Sequence, residues 1–332
     1  MKLLVLGGTQ FVGRHIVHAA LSRGDDVTLF HRGRTNPGIF PEAMHIIGDR
    51  NAGFDLPPGL AWDAVIDVNG YIPRVVSDAA RGAASRAKSY VFISTLSVYA
   101  DATVSNQNED SPVATPPDPS VEQVTMDTYG PLKVACERAA EAAMPGRTSI
   151  IRPGYIVGPW DHSGRFPYWV RRVSEGGEML APGDPGDPIQ VVDARDLAAF
   201  VLSVVKAERP GIYNAAGPKA PYTWGRFLQD CREVSGSDAR FVWVGESFLD
   251  AQRLAPGQLP MWSGAGDHGL MRTDCRRAIA AGLAFRPIAE TIRETLAWDR
   301  EHGRRDMGLT RERELELLAA WAASQRPISP PT

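Results

Sequence analysis

Short apolar runs punctuate the chain, and the residues between them change period. Lys2-Leu3-Leu4-Val5-Leu6 is apolar after its first residue and reads as a strand buried on both faces. After the turn Gly7 to Gly13, the stretch from Arg14 to Arg23 carries Ile16, Val17, Ala20 and Leu21 at helical spacing, closed by Gly24. Asp26–Phe30, 46–49, 64–68 and 90–95 predict strands two to five. Helix follows around Tyr129 to Ala143 and must begin close to Tyr129, because Pro131 is tolerated only in a first turn. Pro182 to Pro188 reads as a turn, Ile189 to Val192 as a return to the sheet, and Gly211 to Gly217 as a last strand and turn. Beyond it the pattern predicts a helix from Trp224 towards Cys231 with Thr223 as N-cap, a strand over 241–244, and a helix over 288–300. Thr310 should cap a final amphipathic helix with Leu315, Leu318, Ala319 and Ala322 on one face. The tail from Pro327 to Thr332 is expected to be disordered.

Strands alternating with helices predict an α/β fold, a doubly wound parallel sheet of Rossmann type with a smaller C-terminal α+β substrate domain. Residues 1–159 and about 186–217 would form the nucleotide-binding domain. About 160–185 and 218–309 would form the substrate domain, followed by the helix and tail of 310–332. A chain of 332 residues, 43% hydrophobic and 23% charged, can bury real cores and has the composition of a soluble globular protein. The net charge of −3 offers no basic footprint, which argues against nucleic acid and anionic lipid as partners. Three widely spaced cysteines suggest neither a disulfide framework nor a metal site and fit a reducing cytoplasm. The N-terminal apolar run is too short for a signal peptide, and no run approaches the ~18 residues of a membrane span.

The first forty residues carry the strongest local chemistry. Strand, glycine turn and helix, in that order, set backbone N–H groups at a helix N-terminus, where a pyrophosphate binds. Gly7, Thr9, Gln10, Phe11, Val12 and Gly13 are therefore candidate cofactor contacts. Gln10 holds the place of the middle glycine of the usual fingerprint, so its side chain must turn aside or bond a phosphate itself. The second strand runs into His31-Arg32-Gly33-Arg34 with no carboxylate to hold a ribose 2′-hydroxyl. Two guanidiniums suit a 2′-phosphate, which favours NADP over NAD; solvated loop charges are the bland alternative. Asp49 is placed to meet the adenine, while Asp67 reads as a cap or loop residue. Thr95 falls beyond the carboxyl end of strand five, where ligands of open α/β sheets sit. Tyr129 and Lys133 are one helical turn apart. A cation about 4 Å from the phenol, at an effective dielectric of ~20, is worth roughly 4 kcal/mol and could bring its pKa from ~10 towards ~7. Such a phenol can exchange a proton with a substrate oxygen while a hydride moves elsewhere.

Taken together, Gly7 and Gly13, Thr95 four residues before Tyr99, and Tyr129-x-x-x-Lys133 resemble the extended short-chain dehydrogenase/reductase family, which contains the nucleotide-sugar epimerases and dehydratases. Arg152 to Pro159 resembles the segment that follows its sixth strand, and Val192 to Ala198 its late strand-to-helix signature. The resemblance implies Tyr129 as general acid/base, Lys133 as holder of the nicotinamide ribose, and Thr95 as donor to the reacting oxygen. It adds Asn69, Pro153, Tyr155 and Ile156 as cofactor contacts and implies that the Tyr129 helix joins a four-helix dimer interface; core packing is the alternative. The acidic pair that dehydratases carry after that Thr is replaced by Leu96 and Ser97, which cannot remove water. Gln10 and His31 set the chain nearer an atypical branch with bacterial reductase-like proteins and the chloroplast stem-loop RNA-binding proteins. The resemblance thus implies a small-molecule substrate and an exchanging NADP(H) reductase, with a nucleotide-sugar epimerase holding NAD and a non-catalytic RNA- or nucleotide-binding scaffold as alternatives. Residues 100–128, rich in Asn, Asp, Ser and Pro, are expected to form a lid. His162, Arg165 and Arg171 are candidate substrate contacts; on a helix Arg171 and Arg172 point about 100° apart, so one at most should face the site.

Overall fold

A computed structural model describes residues 1–255, 257–262, 264–303 and 306–325; the tail expected to be disordered lies outside them. The chain begins β1 (Lys2–Leu6), α1 (Phe11–Ser22), β2 (Asp26–His31), β3 (Met44–Ile47), β4 (Trp62–Asp67), α2 (Pro73–Ala83) and β5 (Ala87–Ile93). It continues with α3 (Met126–Ala143), β6 (Thr148–Pro153), β7 (Tyr155–Val157), α4 (Arg165–Ser174), β8 (Glu178–Pro182) and β9 (Val191–Asp193). Then come α5 (Ala194–Lys206), β10 (Gly211–Ala215), α6 (Trp224–Ser235), β11 (Arg240–Val244), α7 (Glu246–Ala251), α8 (Arg276–Ala280), α9 (Ile288–His302) and α10 (Arg311–Ser324).

Two compact units result. The first comprises Met1–Ile156, Gln190–Ala220 and Gly269–Arg286. Its seven strands are all parallel, in the order β10-β6-β5-β4-β1-β2-β3. The strand order reverses between β1 and β4, which opens a crevice at their carboxyl ends. Both faces of the sheet are covered. Leu3 and Val5 of β1 join one core with Ile16 and Val17 of α1 and Leu197 and Val201 of α5. Leu4 and Leu6, pointing the other way, join Val76 and Ala80 of α2 and Cys136 and Ala140 of α3. That two-sided burial is why the strand reads as an unbroken apolar run.

The structure shifts several expected elements. The helix α2 is not among the expected elements; it starts on Pro73 and buries Val75, Val76, Ala79, Ala80 and Ala83. The strand β3 ends at Ile47, and β5 ends at Ile93, so Asp49 and Thr95 each stand two residues beyond a strand. Residues 189–192 do not return to the main sheet: β9 pairs with β7, and Val191 exchanges both backbone hydrogen bonds with Gly217. The helix α3 starts at Met126 rather than near Tyr129, because Thr125 and Thr128 form a capping box. Pro131 therefore stands in its second turn, where the carbonyl of Asp127 has no backbone N–H to accept from. Residues 269–286, expected in the substrate domain, belong to the first unit, as Leu270, Asn106 and Asp274 exchange backbone hydrogen bonds with 101–107 and Arg272.

The second unit holds 157–189, 221–268 and the described residues from Pro287 on. The strands β8 and β11 pair in parallel. Phe166 of α4 stacks on Phe227 of α6 at 5.3 Å, and Trp169 packs edge-on against Trp224. Trp169 also donates to the Pro260 carbonyl, so the 259–262 segment is core. The buried face of α10 is Glu314, Leu317 and Leu318, not the expected face of Leu315, Ala319 and Ala322; only Leu318 is shared. The reason is electrostatic. Glu314 sits under the helix in an ion pair with Arg172 at 2.8 Å and accepts from the backbone of Leu180, which rotates Leu315 to the surface. No helix of the described residues is long and apolar enough to cross a membrane.

Candidate active site

The glycine turn follows β1 at the strand-order reversal. Gly7 and Gly8 adopt positive φ, +106° and +88°. Gly13 is required by space: a Cβ there would lie 2.6 Å from the Gly8 nitrogen, so only glycine lets the first turn of α1 close onto the strand. The helix starts at Phe11, three residues before the expected onset, and Gln10 is its N-cap, extended, with no side-chain cap hydrogen bond. The Gln10 side chain is exposed, Thr9 and Phe11 are buried, and Val12 and Gly13 complete the turn. An N-terminus whose leading N–H groups lack intrahelical partners is thus presented at the crevice. His31 ends β2 and is 7% exposed. Arg32 and Arg34 are exposed and bond no described residue.

Across the crevice, Asp67 is no loop residue. It closes β4, is 0% exposed, and accepts from Arg50 at 2.7 Å, Tyr90 at 2.8 Å and the Asn69 backbone at 3.1 Å. Arg50 also donates to the Asn69 carbonyl, which fixes that turn while the Asn69 side chain stays exposed. Burial raises the Asp67 carboxyl, and the Arg50 guanidinium more than reverses this, leaving it below the usual range. Asp49 is half-buried and accepts from both the backbone and the side chain of Asn51. Arg50 was invisible in the sequence, where an arginine after a strand reads as a solvated loop charge.

Tyr129, Lys133 and Glu137 lie one turn apart along α3. The stripe reaches the end of β5 because Gly130 has no side chain. A Cβ there would stand 2.1 Å from the carbonyl oxygen of Ser97. Thr95 is the N-cap of the short 3-10 turn Leu96–Val98: its hydroxyl accepts from the Ser97 backbone at 3.1 Å and donates to the Ser97 hydroxyl at 3.2 Å. Lys133 is 3% exposed and donates to the carbonyls of Gly70 at 2.8 Å and Ile93 at 2.7 Å. One of its three N–H groups remains for a further acceptor. The ammonium lies 4.1 Å from the centre of the Phe92 ring. Burial pulls this amine down to about 8, against the opposing influence of Cys136, Asp67 and Glu137. Tyr129 is half-buried, its ring 6.4 Å from that of Tyr71.

Glu137 anchors the helix. It accepts from Ser94 and from two nitrogens of Arg152 on β6, at 3.0 and 2.7 Å. Its place four residues after Lys133 was the available signal. The first part of the expected lid is stitched down: Gln107 and Glu109 are buried, and Glu109 accepts from the Asn214 backbone at 2.9 Å. Pro153 ends β6, buried, and Tyr155 and Ile156 lie half-buried on β7. The other three candidates belong to the second unit. Arg171 forms a two-pronged ion pair with Asp299, at 2.8 and 3.0 Å, and neighbouring Arg172 is taken by Glu314, so neither is offered to a ligand as expected. Arg165 opens α4 and donates to the Ser163 hydroxyl, and His162 is exposed. The three cysteines are buried thiols, and no group of described residues could hold a metal ion.

Residues 61–216 match the model of the NAD dependent epimerase/dehydratase family, the span from β4 through the Tyr129 helix to the end of β10. Over that span the chain is similar to the NAD dependent epimerase/dehydratase family. The chain is 25% identical over 253 residues to the chloroplast stem-loop binding protein of 41 kDa b of Arabidopsis thaliana. That alignment takes in 71% of this chain and 63% of the plant protein, so the chain spans less than two thirds of its relative. Among solved structures, a putative epimerase from Burkholderia cenocepacia superposes with a TM-score of 0.66 at 19% identity, over 90% of this chain and 98% of that one. UDP-glucuronic acid 4-epimerase from Bacillus cereus, solved with NAD, gives 0.66 at 16%, over 91% and 99%. A human epimerase family protein solved with NADPH gives 0.63 at 19%, over 90% and 99%. At these identities the likeness speaks for the fold, the same parallel sheet wrapped by helices.

Proposed function

We propose that the protein is an NAD(P)-dependent oxidoreductase acting at a carbonyl or hydroxyl carbon, with NADP(H) preferred and reduction the favoured direction. The observation that carries the reading is the contact of Gly130 with Ser97. It brings the Tyr129–Lys133 stripe against the Thr95 turn, in the same unit as a glycine turn shaped for a pyrophosphate. The residues present fit a dinucleotide: Gly13 lets the first turn of α1 close onto the glycine turn, helix N–H groups face the crevice, and two exposed arginines lie beyond β2. When bound, the nicotinamide supplies or takes up hydride. The chain's own part is the proton. The Tyr129 phenol gives it to, or takes it from, the substrate oxygen, the Thr95 hydroxyl donates to that oxygen, and the Lys133 ammonium favours the ionised phenol. Leu96 and Ser97 carry no carboxylate, so the site is not built for dehydration. The substrate belongs to the class of sugar nucleotides or related metabolites.

Two other readings keep a specific observation behind them. Several structural neighbours hold NAD and are epimerases by name, which favours an epimerase that retains its cofactor. The plant relative is named for stem-loop binding, which favours an RNA-binding scaffold. Native mass spectrometry separates the three. An empty protein that takes up NADPH before NADH supports the exchanging reductase. A retained NAD would overturn the arginine reading and make it an epimerase. Uptake of neither, with salt-sensitive RNA retention, would move the function to the scaffold reading.

A further inference from the structure

His31 and His45 are locked together by three hydrogen bonds whose direction can be assigned. The Gly33 backbone N–H donates to Nδ1 of His31 at 3.1 Å, so that nitrogen carries no hydrogen. At the other end, Nε2 of His45 lies 3.0 Å from the carbonyl oxygen of Phe40, which can only accept, so it carries one. Between them Nε2 of His31 and Nδ1 of His45 are 2.8 Å apart and share a single proton. Two neutral rings satisfy all three bonds, with the shared hydrogen on His31. A further proton has no acceptor. On His31 it would face the Gly33 N–H, and on His45 it would face the His31 N–H.

The pair spans the neck of the loop between β2 and β3. His31 ends β2, His45 lies in β3, and the rings meet edge to face at 5.1 Å. The loop between them carries Arg32 and Arg34 and enters the left-handed region at Asn36 and Phe40. The Asn36 side chain donates to the Thr9 carbonyl at 3.0 Å, which ties the loop to the glycine turn. Charged groups on neighbouring stretches are Arg32 and Arg34 on the same turn, Glu42 in the loop, and Arg14 and His15 on α1. The one whose charge acts on His31 is His45, and burial together with that ring holds His31 below the usual imidazole value.

We propose that His31 and His45 form a neutral clasp that holds the Arg32–Arg34 turn in the form that receives the 2′-phosphate of NADPH, and that acid opens it. His45 is then a positioning residue for cofactor choice, a role its place in a strand conceals. The proposal rests on the NADP reading above, and the two can fail separately.

The test is the affinity of the cofactor-free protein for NADPH and NADH between pH 7.5 and 5.5, in wild type, His45→Gln and His45→Leu. The glutamine amide can accept from His31 and donate to Phe40, so His45→Gln should keep wild-type NADPH affinity at pH 7.5. His45→Leu should lose about tenfold for NADPH there, roughly the worth of a hydrogen bond, with NADH unchanged. The 2′-phosphate itself takes up a proton near pH ~6, so both proteins weaken in acid. Wild type should fall more steeply than His45→Leu as the pH is lowered, because only wild type has a clasp for acid to open. Wild-type NADPH affinity in His45→Leu at pH 7.5, parallel pH profiles, or equal losses for both dinucleotides would overturn the clasp. A wild type that does not prefer NADPH would overturn the arginine reading and the clasp with it.

Discussion

Lys133 carries a charge to a place that water hardly reaches, and its consequences are visible in pH. With the amine pulled down to about 8, most of the protein is charged at pH 7 and loses that charge on the alkaline side. Turnover is therefore expected to fall along an alkaline limb with an apparent pKa about 8; a limb set only above 10 would detach Lys133 from the reaction. Stability runs the other way. The unfolded lysine holds its proton to ~10.4, so from about 8 upward the unfolded chain binds more protons and the fold gains stability as pH rises through that window. Lys133→Met should abolish this rise in a Tm series across the same pH range. For the phenol, Tyr129→Phe is expected to keep the fold and cofactor binding while turnover drops by ~10²–10⁴. Unchanged turnover would remove Tyr129 from the mechanism. The pairing of these two residues was legible from spacing alone, since one helical turn fixes it. That Lys133 spends two donors on the carbonyls of Gly70 and Ile93 was not, because both partners lie more than thirty positions away.

At the scale of elements, α3 is held by devices of different range. Its start is local, a capping box of Thr125 and Thr128 that overrides the signal of Pro131. Its position is not local. Gly130 rests on the Ser97 carbonyl, and Glu137 is clamped by Arg152 and Ser94. Gly130→Ala should cost ~1–3 kcal/mol through overpacking, because the Cβ meets backbone rather than a movable side chain. It should also lower turnover more than it lowers cofactor affinity, since it displaces Tyr129 from the Thr95 turn. A variant with wild-type Tm and kcat would show that α3 can shift at no cost. The face of α10 teaches the same lesson from the other side. Apolar periodicity pointed to Leu315, but Arg172 lies under Glu314, and a buried charge with a partner outranked one leucine. Removing one member of such a pair costs ~3–5 kcal/mol, far more than exposing Leu315.

On the scale of the whole molecule, the sheet brings together residues that the chain keeps apart. Gly7, Asn69 and Thr95 follow, and Pro153 ends, strands of one parallel sheet, at β1, β4, β5 and β6. A ligand held there should stabilise the fold by mass action. At NADPH a hundredfold above its dissociation constant the gain is ~2.7 kcal/mol, read as a rise in Tm. Arg32→Ala/Arg34→Ala should lose most of that rise for NADPH and keep what NADH provides. An equal rise with both dinucleotides in wild type would mean that the two arginines do not read the phosphate.

The sequence by itself determined most strands of the main sheet, the glycine turn, the Tyr129–Lys133 spacing and the resemblance to the family, because each is written in neighbouring residues or in a period of two or 3.6. It also carried the missing carboxylate after β2. Only the tertiary structure decided the long-range partners: Arg50 with Asp67, Glu137 with Arg152, His31 with His45, and Arg171 turned towards Asp299. The physical reason is range. Backbone propensity and burial pattern act within a turn or a strand, whereas a buried charge or ring takes whatever partner the packing of distant elements brings within about 3 Å.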